Sequence, residues 1–548
     1  MKKFLLLFSI IPVVCAYSQN LDALYAKFLQ IKNIPQAVKI PETANSSKPI
    51  KCGFGIINQV KLNFSRFSAS QKKTLDSLNS RPVTDTSIVS PSGNFRIHFF
   101  KVGAGKPTYD INDFAKAADS SYNYEVNYLE YPAPPKDNGK AGDSSNPDDK
   151  YDIYILDLGG NAYGYTQPDS LITKNNTFTA FTVVDHEFGK GYNTHGIDGA
   201  RVTIAHEYHH AIQVGDYLFS TQDQFYHELT STSMEEFVYP GIDDYIYYMD
   251  SYFSNTQRTF SDTDGYDIAI WNIFLASEFD NNNVPAAIRG KNIIKRIWEL
   301  MPSGKRALRA FDVAIQEGGS NFKTEFNKFG QWTYFTGKRA TGKYFSEAAK
   351  YPMLNPYVVK NAILITVNSE PVSNNFFQLN DNSTGKRDSI ITLISNSDIE
   401  GAVSSTGTYL QFKYTLSNST ISGGKQISDR YYSKLETSNQ ILLSESNVLS
   451  GNISLTELNY VYPQPFSYSI NKMLYFPASG SIETTSTLYI YSISFKLLYH
   501  GEKAIIGSEK ISWDGMDQDG KKLATGVYLY VTKSGDNIKK GKFVIYND

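Results

Sequence analysis

The chain has 548 residues, 41% of them hydrophobic, and a formal net charge of −2. That length allows roughly two to four domains with ample core, and the near-neutral charge lacks the basic footprint of a nucleic-acid binder. The 39 Tyr and 33 Phe favour a β-rich content.

Residues 1–18 read as a secretory signal. Lys2 and Lys3 form the charged region, 4–14 the apolar core, and Ala16-Tyr17-Ser18 a small-x-small cleavage site. The bulky Val14 before Cys15 speaks against lipidation. The apolar core, about 11 residues, is too short to span a bilayer, and no later stretch is long enough. An exported, soluble chain at the cell surface or beyond it is expected. The chain has two cysteines, Cys15 and Cys52. Cleavage leaves one, which excludes an internal disulfide.

Residues 19–90 form an N-terminal segment or propeptide, helical over 21–31 and 71–78. A strand is predicted over 96–102, a helix over 111–129 and a polar loop over 132–149. Residues 151–158 are apolar on both faces, as in a central buried strand, and 178–184 form a third strand. A helix over 198–214 follows, then mostly helical sequence over 222–350. From about 355 the pattern turns to short alternating strands with Asn, Ser and Gly turns. It divides near 456–460, giving a β-rich domain over 353–457 and a C-terminal domain over 458–548.

The helix over 198–214 carries His206-Glu207-Tyr208-His209-His210, an HExxH run. Positions i and i+4 share one helix face, so His206 and His210 can both reach one Zn²⁺ at about 2.0–2.1 Å. Glu207 sits beside the first ligand as the candidate general base. It is the one charged residue between Arg201 and Asp216. A carboxylate without a salt partner on an apolar helix calls for a compensating cation. The alternative is a core helix with histidines at its rim. His209, at i+3, competes with His210, but HExxH spacing favours His210. A catalytic zinc needs a third protein ligand. Glu228, Glu235, His227 and Asp216 are the candidates. Glu228 and Glu235 lie seven positions apart on one face of the next helix.

Here the sequence resembles the gluzincin zinc peptidases, whose second helix often reads Trp-x-x-Glu-Gly-x-Ala. This chain has Phe225-x-x-Glu228-Leu229-x-Ser231, with Leu in place of Gly. It also resembles a group of secreted bacterial proteins assigned as metalloproteases. The shared pieces are Tyr151-Asp152-Ile153-Tyr154-Ile155, Tyr163-Gly164-Tyr165-Thr166, 206–213 and Met234-Glu235-Glu236-x-Val238-Tyr239-Pro240. The resemblance implies Glu228 as third ligand, with Glu235 as the reserve or as a carboxylate orienting a ligand histidine. It also suggests Tyr266 as the oxyanion partner, against the alternative of a core aromatic. Lys51-Cys52-Gly53 resembles the Arg-Cys-Gly of propeptides that cap zinc with a thiolate; a small buried residue is the alternative. The metzincin pattern needs Gly at position 213, where this chain has Gln, and that disfavours Asp216.

In the C-terminal domain, strands at 487–493 and 524–530 flank Trp513-Asp514-Gly515-Met516-Asp517, which predicts a small β-sandwich. The domain resembles the FlgD-type immunoglobulin-like module. Similar modules act as type IX secretion signals, so the resemblance implies the secretion machinery as a partner; a plain spacer or binding module is the alternative.

The expected fold is multidomain α+β, with a zincin-like catalytic domain over 91–352 followed by β-sandwich domains. The expected activity is a secreted zinc metalloendopeptidase acting on a protein or peptide substrate. The competing expectation is a non-catalytic surface or adhesion protein that keeps the zincin-like fold.

Overall fold

In the computed structural model, twelve α-helices and five sheets form a mixed α+β chain among the described residues. These are 12–35, 48–137, 139, 148–172, 177–217, 219–359, 364–381, 388–403, 412–420, 428–434, 443–448, 461, 463–469, 471, 473–479, 485–505 and 510–546. Residues 1–11 of the expected signal, 140–147 of the polar loop and the boundary expected at 457/458 lie outside them. One compact unit ends at Leu354; a second holds Gln257–Thr259 and the described residues from Asn355 onward.

The first unit is built on a six-stranded sheet. Its strands are β1 (Ile50–Cys52), β2 (Thr86–Val89), β3 (Phe95–Phe99), β4 (Tyr151–Leu156), β5 (Ala162–Ile172) and β6 (Thr177–Asp185), in the order β1-β5-β6-β4-β3-β2. β3, β4 and β6 run parallel, β5 is antiparallel to β6, and β1 is parallel to β5. Side chains alternate between the two faces. Tyr154, Tyr165, Phe181 and Val183 pack with Phe28, Ile57 and Leu75. Those last three belong to helices α1 (Pro12–Ile31), α2 (Phe54–Leu62) and α3 (Ala69–Leu78).

The opposite face receives α5 (Gly196–Ile212), with α4 (Ile111–Tyr122) beside it. α5 approaches β5 closely at Gly164. A Cβ there would sit 2.7 Å from Val183 O and 2.9 Å from Thr203 Cγ2. The helix expected over 111–129 stops as an α-helix at Tyr122 and continues as a wider π-helical stretch, Asn123–Tyr128. α6 (Gln224–Val238) packs on α5. The remaining helices of this unit are α7 (Asp250–Ser254), α8 (Ile270–Glu278), α9 (Asn292–Leu300), α10 (Ala307–Glu317) and α11 (Phe322–Tyr334). They enclose an aromatic core of Phe260, Trp271, Phe326 and Phe329.

In the second unit, β7 (Tyr357–Val359), β9 (Ser373–Asp381), β10 (Asp388–Asn396) and β13 (Leu443–Val448) form one sheet, and β8 (Leu364–Ser369), β11 (Phe412–Thr420) and β12 (Ser428–Lys434) another. A short helix, α12 (Ile399–Val403), follows β10. Further along, β14 (Leu474–Pro477) pairs with β17 (Lys510–Trp513). β15 (Thr485–Ser492), β16 (Leu497–Ala504), β18 (Gly526–Ser534) and β19 (Asn537–Ile545) make a four-stranded sheet. Leu488, Ile490 and Phe543 from that sheet share a core with Phe476 and Trp513 from the β14–β17 pair. No helix among the described residues is long and apolar enough to cross a membrane.

Candidate metal centre

Helix α5 turns His206 and His210 toward α6, which contributes Glu228. The three side chains are at most 1% exposed. Their facing atoms form a nearly equilateral triangle. His206 Nε2 lies 3.1 Å from His210 Nε2, and each nitrogen lies 3.2 Å from Glu228 Oε2. Tetrahedral ligands at zinc distances stand about 3.3 Å apart, so the triangle matches the base of such a site.

The protonation pattern makes this triangle electron-rich. His210 Nδ1 donates to Gln213 Oε1 at 2.8 Å, which leaves its Nε2 as a lone pair. Gln213 is fixed in turn: its Nε2 donates to the His227 carbonyl oxygen at 3.1 Å, and its Oε1 also accepts from His227 Nδ1 at 2.9 Å. Burial drives the His227 pKa down to about 3, so that ring is neutral. His206 Nδ1 donates to Glu235 Oε1 at 2.8 Å, which aims its Nε2 into the triangle. With both rings neutral, the three facing atoms are acceptors, an arrangement that could hold a metal ion.

Without an ion, the ring and the carboxylate support each other's charge. Burial opposes a charge on His206, but hydrogen bonds to Glu228 and Glu235 outweigh it and lift the pKa to about 9. Burial likewise opposes a charge on Glu228, but His210 and His206 outweigh it and hold the carboxyl near 2. The second oxygen of Glu228, Oε1, has no hydrogen-bond partner among the described residues.

Glu207 is fully buried beside this triangle. Thr166 on β5 places its hydroxyl 2.7 Å from the Glu207 carbonyl oxygen and 3.0 Å from Oε2. Oε1 is left without a partner among the described residues. Burial raises the pKa of Glu207, against the pull of His210 and His206.

A fourth donor arrives from far away in the chain. Cys52, at the end of β1, joins His206, His210 and Glu228 in a buried group whose ligand atoms all lie within 4.8 Å of one another. That group could hold a metal ion. Burial, then Glu207 and Glu228, pushes the Cys52 thiol well up, so only a cation would make it a thiolate here. Its neighbours are tied to the same centre. Lys51 Nζ reaches Glu235 Oε2 at 2.8 Å and also contacts Asp244. Burial works against its charge, but Asp244 and Glu235 outweigh burial and raise its pKa. The Phe54 ring stacks on His210 with centroids 3.8 Å apart.

Tyr266 lies at the edge of the centre, its ring centroid 6.1 Å from that of His206. Gly265 positions it with a φ of +102°, and a Cβ there would fall 2.0 Å from Phe225 O. His209 points elsewhere, with Nδ1 2.7 Å from Glu125 Oε2. Asp216 stays outside the four-residue group, and Glu235 touches it only through His206. Thus His206, Glu207, His210 and Glu228 are brought together, with Tyr266 alongside. Gln213, Thr166, Lys51 and Asp244 are the supports that the pattern did not single out. Gln213, at i+3 from His210, was open to a helical-wheel argument; the other three are set by long-range packing.

No model of a known protein family matches this chain, and no curated protein matches it. Among solved structures, it is similar to PorZ, an essential bacterial surface component of the type-IX secretion system of Porphyromonas gingivalis. The match has 15% identity and a TM-score of 0.14, and covers 29% of each chain. A likeness that slight carries no argument about fold or activity.

Proposed function

We propose that this chain is a secreted zinc-dependent metalloendopeptidase with a zincin-like catalytic domain over 91–352. One observation carries the reading. Two imidazole nitrogens and a carboxylate oxygen converge at 3.1–3.2 Å, next to an unpartnered oxygen of a buried HExxH glutamate. His206, His210 and Glu228 are the ligands in this proposal, and a nitrogen, nitrogen, oxygen set suits zinc. When bound, zinc supplies a Lewis acid that polarises the scissile carbonyl and lowers the pKa of water. Glu207 takes the proton of the attacking water at Oε1 and returns it to the leaving amine. Thr166 holds the carboxylate, while Glu235 and Gln213 fix the two ligand rings. The Tyr266 hydroxyl serves the developing oxyanion.

The rest of the proposal follows the sequence. Residues 1–18 direct export, and 19–90 act as a propeptide. Residues 353–457 and 458–548 are β-sandwich domains, and the last engages the type IX machinery. The core shared by the β14–β17 pair and the four-stranded sheet supports the sandwich. The protein then works outside the cell or on its surface.

A second reading has its own support. With Cys52 counted, the group has four donors, as closed structural metal sites do. That favours a non-catalytic surface or adhesion protein. Metal analysis and casein hydrolysis separate the two. About one zinc per chain, with cleavage abolished by Glu207→Gln, is the expected result. Metal without turnover, in the intact chain and in Cys52→Ala alike, would sink the peptidase.

A further inference from the structure

The donors of this centre are sealed from solvent. Glu207 and His210 are 0% exposed, His206 and Glu228 1%, and Cys52 5%. No peptide bond can reach Glu207 in this state. Segment 50–54 is one of the elements packed over them. Its strand β1 lies parallel to β5, pairing Ile50 with Ala162 and Cys52 with Gly164. Without β1, β5 would be the edge of the sheet next to α5, and an open edge is where an extended peptide adds to a sheet. β1 therefore fills the strand position a substrate would take.

Three side chains fix it there. Lys51 is buried in its contacts with Glu235 and Asp244, behind His206. Cys52 brings its sulfur into the ligand group, and Phe54 covers the ring of His210. Glu228 Oε1, buried at this centre, has no hydrogen-bond partner among the described residues, and the Cys52 thiol hydrogen-bonds Glu207.

We infer that Cys52 is a fourth protein ligand of the centre and that residues 50–54 hold the peptidase latent by occupying both its open coordination position and its substrate edge. The inference rests on the metallopeptidase reading. With an ion held by His206, His210 and Glu228, release would need Lys51 to leave Glu235 and Asp244 and Phe54 to leave His210, while the Cys52 sulfur would keep its electron pair, take a proton from solvent and give up its place to water. The edge of β5 is freed when the segment withdraws.

The test uses the full chain loaded with Co²⁺, whose thiolate bond gives a near-ultraviolet charge-transfer band. The band is expected in the intact protein and absent from Cys52→Ala and Cys52→Ser. Both variants should still hold about one metal, and, with one of the three anchors gone, the segment that Lys51 and Phe54 still hold should open more often, so that casein cleavage rises. In the intact chain, thiol labelling of Cys52 should be slow and should quicken when a chelator strips the metal; this arm needs no variant to fold. A missing band, with labelling indifferent to chelator, would overturn the inference. Casein cleavage that still depends on Glu207 would then leave the peptidase standing. A band in the intact chain, with metal lost and no cleavage in both variants, would mean a permanently closed site and would defeat both readings.

Discussion

Helix α5 carries buried histidines on two faces, and they differ in everything except burial. His206, His209 and His210 are all at most 1% exposed. On one face, hydrogen bonds to Glu235 and Gln213 turn two imidazole Nε2 atoms toward Glu228 and toward each other. On the other, His209 meets Glu125 at 2.7 Å. Burial drives the His209 pKa well down and the Glu125 pKa well up, so this pair rests uncharged. His209 keeps one hydrogen bond and gives up its charge, although its Nε2 and Glu125 Oε1 have no partner among the described residues. Two histidines whose free nitrogens converge on a carboxylate cannot all be satisfied that way. Convergence, not burial, marks the ligand face.

Removing a ligand breaks the first face and gives the largest effect. His210→Ala and Glu228→Ala should each lose bound metal, read by plasma mass spectrometry. A metal present at a hundred times its Kd stabilises the fold by about 2.7 kcal/mol. Chelator should therefore lower the Tm of the intact chain and leave these variants unmoved. His209→Ala tests the other face. It should keep its metal yet lose about 1–3 kcal/mol in urea unfolding, because the buried Glu125 carboxyl is left without its partner. Metal loss in His209→Ala equal to that in His210→Ala would erase the distinction between the faces. Glu235→Gln falls between them. It keeps a hydrogen-bond acceptor for His206 but removes a charge, and metal affinity should drop about 10–100-fold. Competition with a chelator of known affinity measures this. An unchanged affinity would make Glu235 a partner of Lys51 alone.

The convergence of His206, His210 and Glu228 was largely legible because most of it is local. His206, Glu207 and His210 follow from helical spacing, and Glu228 lies on the next long helix, where a resemblance pointed. The strands β4 and β6 are largely apolar and were expected within a residue or two of their observed ends. β5 was not expected. Its sequence contains Gly164, Pro168 and Asp169, which read as turn signals. The strand tolerates them because its register with β6 shifts between Pro168 and Leu171. β1 has three residues, too few for any periodicity, and its place beside β5 depends on pairing across more than a hundred positions. That is why Cys52 looked like a faint motif in the sequence and is a neighbour of the ligands in the fold. The π-helical stretch that carries Glu125 to His209 has no sequence signal that we can name.

Asp216 gives the smallest and most specific test. It was the competing third ligand, and it lies on the π-helical turn Gln213–Tyr217 just after the ligand helix, outside the ligand group. Its Oδ2 has no partner among the described residues, and burial alone raises its pKa to about 7. A carboxyl raised above its unfolded value is favourably buried only while protonated. Its cost is absent below about pH 4, grows as pH rises toward 7, and is complete above that. Asp216→Asn should therefore remove a loss of stability between pH 5 and 8, while metal content stays at the level of the intact chain. Thermal unfolding at those two pH values, with metal analysis on the same samples, decides the point. If the variant loses metal, the ion sits lower on the helix than the His206–His210–Glu228 triangle allows, and the contrast between the two faces of α5 has been drawn in the wrong place.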